Sequence, residues 1–118
     1  RSEGFGLTIA EAMEKGKPVI TTGYSGNMDF TTSDDAFLVA SKRVPLHKDI
    51  GPYKKGDYWA EPSVEDAARQ MRTVYENPAV RNEKAKAGQH TIRNSFSAKT
   101  ISKSVKKRME RIRKEFFR

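Results

Sequence analysis

The feature that most constrains this chain of 118 residues is a short glycine-containing turn that runs directly into a helix. Gly4 and Gly6 flank Phe5, so the backbone here can adopt positive φ and approach a ligand with no side chain in the way. Good helix formers follow, and they predict a helix with Thr8 as its N-cap and Gly16 as its left-handed C-terminal residue. Such a helix N-terminus presents unpaired N–H groups and a positive dipole end, which suit a phosphate.

Two glutamates stand eight positions apart around this turn, and their positions predict different roles. Glu3, on the loop, can reach hydroxyl groups beside the phosphate pocket, whereas Glu11, one turn into the helix, can accept hydrogen bonds from a more distant diol such as a ribose. Residues 18–21 are β-rich, so the order of loop, helix and strand is that of an α/β sheet. In the alternative interpretation, Glu3, Glu11 and Glu14 are solvated surface charges, which leaves the paired glycines unexplained.

This motif resembles the E-x7-E signature of retaining nucleotide-sugar glycosyltransferases with the GT-B architecture, in particular family four (glycosyl transferases group 1). The Glu-Gly-Phe-Gly-Leu turn at residues 3–7, the Glu-Ala-Met helix at 11–13 and the Gly-x-Pro-Val-Ile strand at 16–20 all match the usual form. The resemblance implies retaining transfer of a hexose from a nucleotide sugar, such as UDP- or GDP-hexose, to an acceptor hydroxyl in polysaccharide or glycolipid synthesis. It implies no cofactor and no metal site.

The resemblance also assigns roles to individual residues. It implies that Glu3, the candidate catalytic-site residue, binds hydroxyls of the donor sugar and that Glu11 binds the ribose hydroxyls. Main-chain N–H groups of the turn would hold the sugar and the diphosphate. The donor-binding residues that it implies are Gly4, Phe5, Gly6, Leu7, Thr8 and Glu11.

Further similarity covers most of the chain. The family's Gly-Gly-x-x-Glu turn corresponds to a run in which Ser25 replaces one glycine and Asp29 replaces the glutamate. Later, Gly-Pro-Tyr at residues 51–53 and Trp-Ala-Glu-Pro at 59–62 match a pattern that also occurs in the family.

The resemblance predicts the fold class as α/β, a partial Rossmann-like domain with few parallel strands, several helices and a helix-rich C-terminal half. A GT-B enzyme has two doubly wound domains of about 100 to 150 residues each. We therefore expect residues 1–96 to be the C-terminal part of the donor-binding domain, with the acceptor domain and an Arg/Lys pair for the diphosphate N-terminal to Arg1. Because two parallel strands do not make a self-sufficient sheet, the expected partner is that missing domain or a second copy of the chain.

The remaining pattern predicts strands near residues 19–21 and 36–40, and helices after Ser63, over 79–94 and after Ser97. Residues 41–62 are predicted to be a long ordered connection, whose aromatics Tyr53 and Trp59 either pack it against the sheet edge or line the cleft. The helix after Ser63 is expected to bury a stripe formed by Val64, Ala67, Ala68, Met71, Val74 and Tyr75.

Residues 97–118 are predicted to be a basic amphipathic helix that carries seven of the net eight positive charges. This composition supports a rival interpretation, a non-catalytic module that binds an anionic membrane surface or nucleic acid. Nucleic acid is the less favoured partner because no known fingerprint accompanies the charge; a solvated helix face is the remaining alternative. Without a spanning segment or cysteines, the expected location is the cytoplasm, with contact at the inner face of the membrane left open. The predicted apolar face comprises Ile101, Val105, Met109, Ile112 and Phe116. The resemblance implies that the final helix crosses back onto the N-terminal domain, so this face is expected to be docked in the whole enzyme and exposed without that domain.

Overall fold

The structure is a computed structural model that describes residues 1–116 of the chain. Its mixed α/β organisation with a helix-rich C-terminal half confirms the predicted class. Arg118, at the end of the predicted basic helix, lies outside the described residues. The elements in chain order are α1 (Leu7–Glu14), β1 (Ile20–Thr22), a 3-10 turn (Gly26–Asp29), β2 (Phe37–Val39), β3 (Ser41–Pro45), β4 (Tyr58–Pro62), α2 (Val64–Glu76), α3 (Pro78–Ser95) and α4 (Ala98–Phe116).

The two predicted parallel strands are present and adjacent. β1 pairs with β2 in parallel, with Ile20 opposite Phe37 and Thr22 opposite Val39. Phe37 and Val39 are buried, as expected for a strand covered on its faces. The carboxyl end of β1 at Thr22 leads directly into the segment that contains Ser25, which places that segment at the edge of the sheet where α/β proteins bind ligands.

The prediction that residues 41–62 form a connection without strands is wrong. β3 and β4 form an antiparallel hairpin, with Ser41 opposite Pro62 and Pro45 opposite Tyr58. β3 contains a single aliphatic residue, Val44, so it lacks the alternation that identifies a strand locally, and its partner is supplied from farther along the chain.

α1 begins earlier in the chain than the sequence predicts. The helix begins at Leu7 with Gly6 as its N-cap at φ 93°, so the prediction of Thr8 as N-cap is wrong. Glycine adopts this left-handed conformation without a steric penalty. The helix can therefore begin right after Gly6, without a capping side chain. The predicted C-terminus is confirmed: Gly16 has φ 66°, and its N–H donates to the Met13 carbonyl at 2.9 Å.

The core lies between α1, β1 and α3. Met13, Val19, Phe30 and Ile92 form its buried cluster. Gly88 allows α3 to approach α1, since a Cβ at that position would lie 3.0 Å from Met13 Cε. α1 is therefore held by its apolar face, with Ile9, Ala10 and Ala12 packed against this cluster.

α4 exposes the apolar face that the sequence predicts for it. No residue of α4 between Ala98 and Phe116 is buried. Ile101, Val105, Met109 and Phe116 are 43%, 56%, 61% and 72% exposed. None of the helices within residues 1–116 has both the length and the apolar character needed to cross a membrane.

The predicted burial of the α2 stripe is wrong at its largest residues. Val64, Met71 and Tyr75 are 76%, 60% and 81% exposed. α2 contacts a parallel sheet of only two strands, which is too narrow to cover the whole apolar face of the helix. Its predicted start is confirmed, because the Asp66 N–H donates to Ser63 Oγ at 3.1 Å.

Acid is expected to weaken the junction between β2 and α2. Asp66 Oδ2 accepts the Ala40 N–H at 2.7 Å, and Oδ1 accepts Arg69 Nε at 3.0 Å. The Ala40 hydrogen bond, followed by Arg69, lowers the pKa of Asp66 from its ordinary value of 3.8. The stabilisation that Asp66 gives the folded state is thus complete above pH 3.8, and it is lost as the pH falls through the lowered pKa.

Thermal unfolding midpoints measured across acidic pH test this expectation. The difference between the wild-type chain and Asp66→Asn should shrink below the lowered pKa of Asp66. Asp34→Asn, at an exposed aspartate, is the control and should show no such trend. A difference between wild type and Asp66→Asn that stays constant across the pH range would contradict the assignment.

Candidate functional site

The candidate site is built on the N-terminus of α1 and the glycine turn (residues 3–7) that leads into it. The first intrahelical bond runs from the Ala10 N–H to the Gly6 carbonyl at 3.0 Å. The N–H groups of Leu7, Thr8 and Ile9 therefore precede the first intrahelical acceptor. Together with the dipole of α1, they form a surface that favours an anion.

Phe5 anchors the glycine turn to the hydrophobic core. The Phe5 ring lies 4.8 Å from the Phe30 ring and 5.6 Å from the Phe96 ring, measured between centroids. These contacts direct the Phe5 side chain inward and tie the turn to the core. The side chain of Leu7, by contrast, is 68% exposed to solvent.

Only one of the two glycines in the turn has positive φ. Gly6 has φ 93°, and a Cβ there would lie 3.1 Å from Ile9 Cδ1 and 3.4 Å from Glu3 Cγ. The expectation of positive φ at Gly4 is wrong, since Gly4 lies outside that region and an added Cβ would meet no atom within 4 Å. Gly4 is consequently open to an approaching ligand.

A second turn, the serine turn (residues 23–26), is joined to the glycine turn by three hydrogen bonds. Ser25 Oγ donates to the Glu3 carbonyl at 2.7 Å and accepts the Glu3 N–H at 3.1 Å. The Gly26 N–H also donates to the Glu3 carbonyl, at 2.9 Å. The main chain of Glu3 is thus held on both sides by a segment that follows the carboxyl end of β1.

Ser25 adopts a backbone conformation that belongs to glycine. Its φ of 77° and ψ of −157° lie in a region that costs other residues about 1–3 kcal/mol. The family that the motif resembles carries glycine at this position, and glycine adopts such a conformation without that cost. The hydrogen bonds of Ser25 to Glu3 offset part of the strain. The sequence pattern identified this replacement, but it gave no signal that the two turns pair.

The serine turn is fixed in place by a buried amide. Asn27 is 2% exposed, and its Nδ2 donates to the Thr22 carbonyl at 3.0 Å. Thr31 Oγ1 donates to the Asn27 carbonyl at 2.8 Å. Because the Asn27 bond reaches from the 3-10 turn back to the end of β1, the position of Ser25 follows from that of the parallel sheet.

The two glutamates of the motif occupy different surroundings. Glu3 is exposed, and its Oε1 accepts the Gly4 N–H at 2.9 Å. Glu11 is also exposed and shares a shallow depression with Thr8, Ala12, Glu14 and Lys15. The structure therefore brings Thr8 and Glu11 together, while Glu3 is not among the residues that line this depression.

The charges beside Glu11 are partly paired. Lys15 Nζ lies 2.9 Å from Glu14 Oε2 at the rim of the same depression. The hydrogen bond and the charge of Lys15 lower the pKa of Glu14. Glu14 is thereby paired with Lys15 and also with Arg93 of α3, at 3.6 Å, and Glu11 is the exposed carboxylate beside it.

The start of the chain is held by the β3–β4 hairpin, a contact that the sequence did not predict. The Arg1 guanidinium lies 2.7 Å from Glu61 Oε1 and 4.7 Å from the centroid of the Trp59 ring. The Arg1 carbonyl accepts the Ala60 N–H at 3.0 Å, and Tyr53 packs edge-on against Trp59 at 6.2 Å. Trp59 therefore packs between Arg1 and Tyr53.

Another depression lies between the hairpin and the start of α2. Its polar groups serve local structure, since Ser63 caps α2 and also donates to Glu65 at 3.0 Å. It contains neither of the motif glutamates. We therefore assign the candidate site to the N-terminus of α1 and the two joined turns.

These features define a class of site, a helix N-terminus suited to an anion, joined to the carboxyl end of a parallel strand and flanked by two carboxylates. Comparison with known families gives a more particular result: residues 1–50 match the family described as Glycosyl transferases group 1. No curated protein and no solved structure gave a match. The matched segment contains both turns, α1, β1 and β2, and it supports a relationship to this glycosyltransferase family and a function in glycosyl transfer.

Proposed function

We propose that the glycine turn and α1 bind the nucleotide-sugar donor of a retaining GT-B glycosyltransferase of family four. The single observation that carries this proposal is the N-terminus of α1, where Gly6 at φ 93° leaves the N–H groups of the first turn available beside Glu3 and Glu11. A nucleoside diphosphate hexose offers the matching chemistry: a diphosphate for the N–H groups, and two sets of hydroxyls for the carboxylates.

In the proposed arrangement each side of the site has its own role. The diphosphate lies over Leu7 and Thr8, where the helix dipole and main-chain N–H groups favour negative charge. Glu11 accepts hydrogen bonds from the ribose, and Glu3 accepts them from the hexose. Ser25 and Gly26 hold the main chain of Glu3, so they act on the sugar through Glu3 and do not touch it.

This arrangement favours departure of the diphosphate. During transfer the bond from the anomeric carbon to the diphosphate breaks, a bond from that carbon to the acceptor oxygen forms on the same face, and the proton of the acceptor hydroxyl passes to the departing diphosphate. Negative charge increases on the leaving phosphate as its bond breaks. N–H groups already oriented toward it stabilise that charge more strongly than they stabilise the bound donor, which lowers the barrier.

Donor binding tests the proposal. Titration of the chain with UDP-hexose and GDP-hexose, followed by amide resonances, should shift the signals of residues 4–8 and of Glu11. Glu11→Ala should weaken the binding by about 10- to 100-fold, because hydrogen bonds to a charged group contribute about 1.5–3 kcal/mol. The affinity of each variant comes from the same titration.

A matched control separates the site from a general charge effect. Glu83 is an exposed glutamate of α3, so Glu83→Ala removes an identical charge away from the motif and should leave the affinity unchanged. Shifts confined to other regions, or equal losses in both variants, would contradict the proposal. So would the absence of any shift in the glycine turn when both donors are present at millimolar concentration.

A further inference from the structure

The main chain just before Glu3 is held by the β3–β4 hairpin. The Ala60 N–H donates to the Arg1 carbonyl at 3.0 Å, and the Arg1 guanidinium lies 2.7 Å from Glu61 Oε1. The same guanidinium lies 4.7 Å from the centroid of the Trp59 ring. Three consecutive residues of β4 therefore hold Arg1, which stands two positions before the carboxylate of Glu3.

The hairpin is itself fixed to the rest of the fold. At its base the Ser63 N–H donates to the Ala40 carbonyl at 2.8 Å, which ties the end of β4 to the end of β2. In the middle of β4, Ala60 is fully buried, at 0% exposure. Toward the tip, the Leu46 N–H donates to the Asp57 carbonyl at 2.8 Å, and Leu46 is 4% exposed. β4 thus has a fixed position from which to hold the segment before the glycine turn.

Glu3 consequently lies beside two separate attachments. Ser25 and Gly26 bond its N–H and carbonyl groups, but both belong to one segment, the serine turn. β4 supplies the second attachment, at Arg1. A chain fixed at two points so close together has few backbone conformations left, and the backbone in turn limits the rotamers of the Glu3 side chain. Every one of these contacts joins two described segments of the chain, so none needs a free surface.

We propose that Glu61 is a positioning residue for Glu3: paired with Arg1, it fixes the start of the glycine turn and keeps the Glu3 carboxylate within reach of the hexose hydroxyls. This role rests on the proposed function, in which Glu3 binds the hexose while α1 and Glu11 bind the diphosphate and the ribose. Loss of Glu61 should therefore weaken the contacts to the hexose and preserve those to the nucleoside diphosphate.

A purely structural role for Glu61 predicts a different result. The side chains of Arg1 and Glu61 are 49% and 45% exposed, and an ion pair this open to solvent contributes little to overall stability. Glu61→Gln should therefore leave the urea midpoint of unfolding close to that of the wild-type chain. If Glu61 served only the stability of the hairpin, the midpoint and the affinities for nucleotide sugar and nucleoside diphosphate would all fall together, and the proposal would be overturned.

Binding of paired ligands tests the proposal. The wild-type chain and its variants are titrated with UDP-glucose and UDP, and with GDP-mannose and GDP. The ratio of the two dissociation constants in each pair gives the preference for the hexose. Glu3→Ala should lower this preference by about 10-fold, and Glu61→Gln should lower it by at least about 3-fold, because the Glu3 carboxylate is then displaced and not removed. The affinity for UDP or GDP alone should change less than about 2-fold in both variants.

Glu76→Gln is the matched control. Glu76 is also an exposed glutamate paired with an arginine, Arg72 at 3.9 Å, but it lies on α2, so its loss should leave the hexose preference unchanged. Arg1→Gln should lower the preference as Glu61→Gln does, and the double variant should lower it no further, since each change breaks the same pair. A loss in the double variant equal to the product of the two single losses would overturn the coupling of Glu61 to Arg1.

The outcomes separate this role from the proposed function. If neither nucleotide sugar binds the wild-type chain, the proposed function fails, and the role of Glu61 fails with it. If Glu3→Ala lowers the hexose preference and Glu61→Gln does not, the proposed function stands and only the role of Glu61 is overturned. Hydrogen exchange without ligand gives an independent readout: the Glu3 amide should exchange at least about 5-fold faster in Glu61→Gln than in the wild-type chain, and an unchanged rate would also overturn the proposal.

Discussion

Replacing Gly26 with alanine is expected to lower the free energy of unfolding by about 3 kcal/mol and to separate the two turns of the candidate site. A Cβ at Gly26 would lie 1.9 Å from the Gly4 oxygen and 2.9 Å from the Glu3 oxygen. Both atoms belong to the main chain, so no side chain can move aside to make room. Gly26 does not have positive φ, and the expected cost is therefore steric.

Gly4→Ala is the matched control for stability, because an added Cβ at Gly4 meets no atom within 4 Å. Urea unfolding of both variants gives the free energies. Hydrogen exchange at the Gly26 amide reports the bond to the Glu3 carbonyl directly, and its protection should be lost once the turns separate. If the two alanine variants unfold at the same urea concentration, the close packing of the turns is contradicted.

The elements that could be predicted from the sequence are those with local signals. The side chain of Ser63 caps the N-terminus of α2. At the other end, Asn77 follows the last residue of α2, and Pro78 is the first residue of α3. Gly16 lies at the left-handed position that its sequence context predicts. Each of these features depends on residues within a few positions of one another, so the pattern alone determines them.

The features that could not be predicted depend on distant pairs. β3 exists because β4 pairs with it, and Ser25 contacts Glu3 across 22 positions of the chain. The exposure of Tyr75 follows from the width of the sheet beneath α2, which the apolar period of that helix does not encode. For the candidate site, the motif identified the residues, whereas their fixed arrangement comes from the serine turn.

Replacing Phe30 with alanine is expected to destabilise the chain more than any other single change to the site region, by about 3–5 kcal/mol. Phe30 is 3% exposed, and its ring lies 4.8 Å from Phe5 and 5.7 Å from Phe96. Truncation would leave a cavity between these rings and would remove an aromatic interaction of about 0.5–1.5 kcal/mol with each partner.

This loss is large relative to the whole stability of a small domain, which is about 5–15 kcal/mol. Phe30→Leu, which keeps most of the volume, should cost less than Phe30→Ala, and Tyr75→Ala, at a position 81% exposed, should cost less than about 0.5 kcal/mol. Urea unfolding measures all three variants. Similar costs for Phe30→Ala and Tyr75→Ala would show that the aromatic cluster contributes little.

Phe30 also connects stability to the candidate site. It follows the 3-10 turn that contains Asn27, and it packs against Phe5 of the glycine turn, so it supports both turns that hold Glu3. In Phe30→Ala, the amides of the glycine turn and of Gly26 should therefore lose protection together in hydrogen exchange. Protection lost in only one of the two turns would mean that they are held independently, and that Ser25 alone joins Glu3 to the sheet.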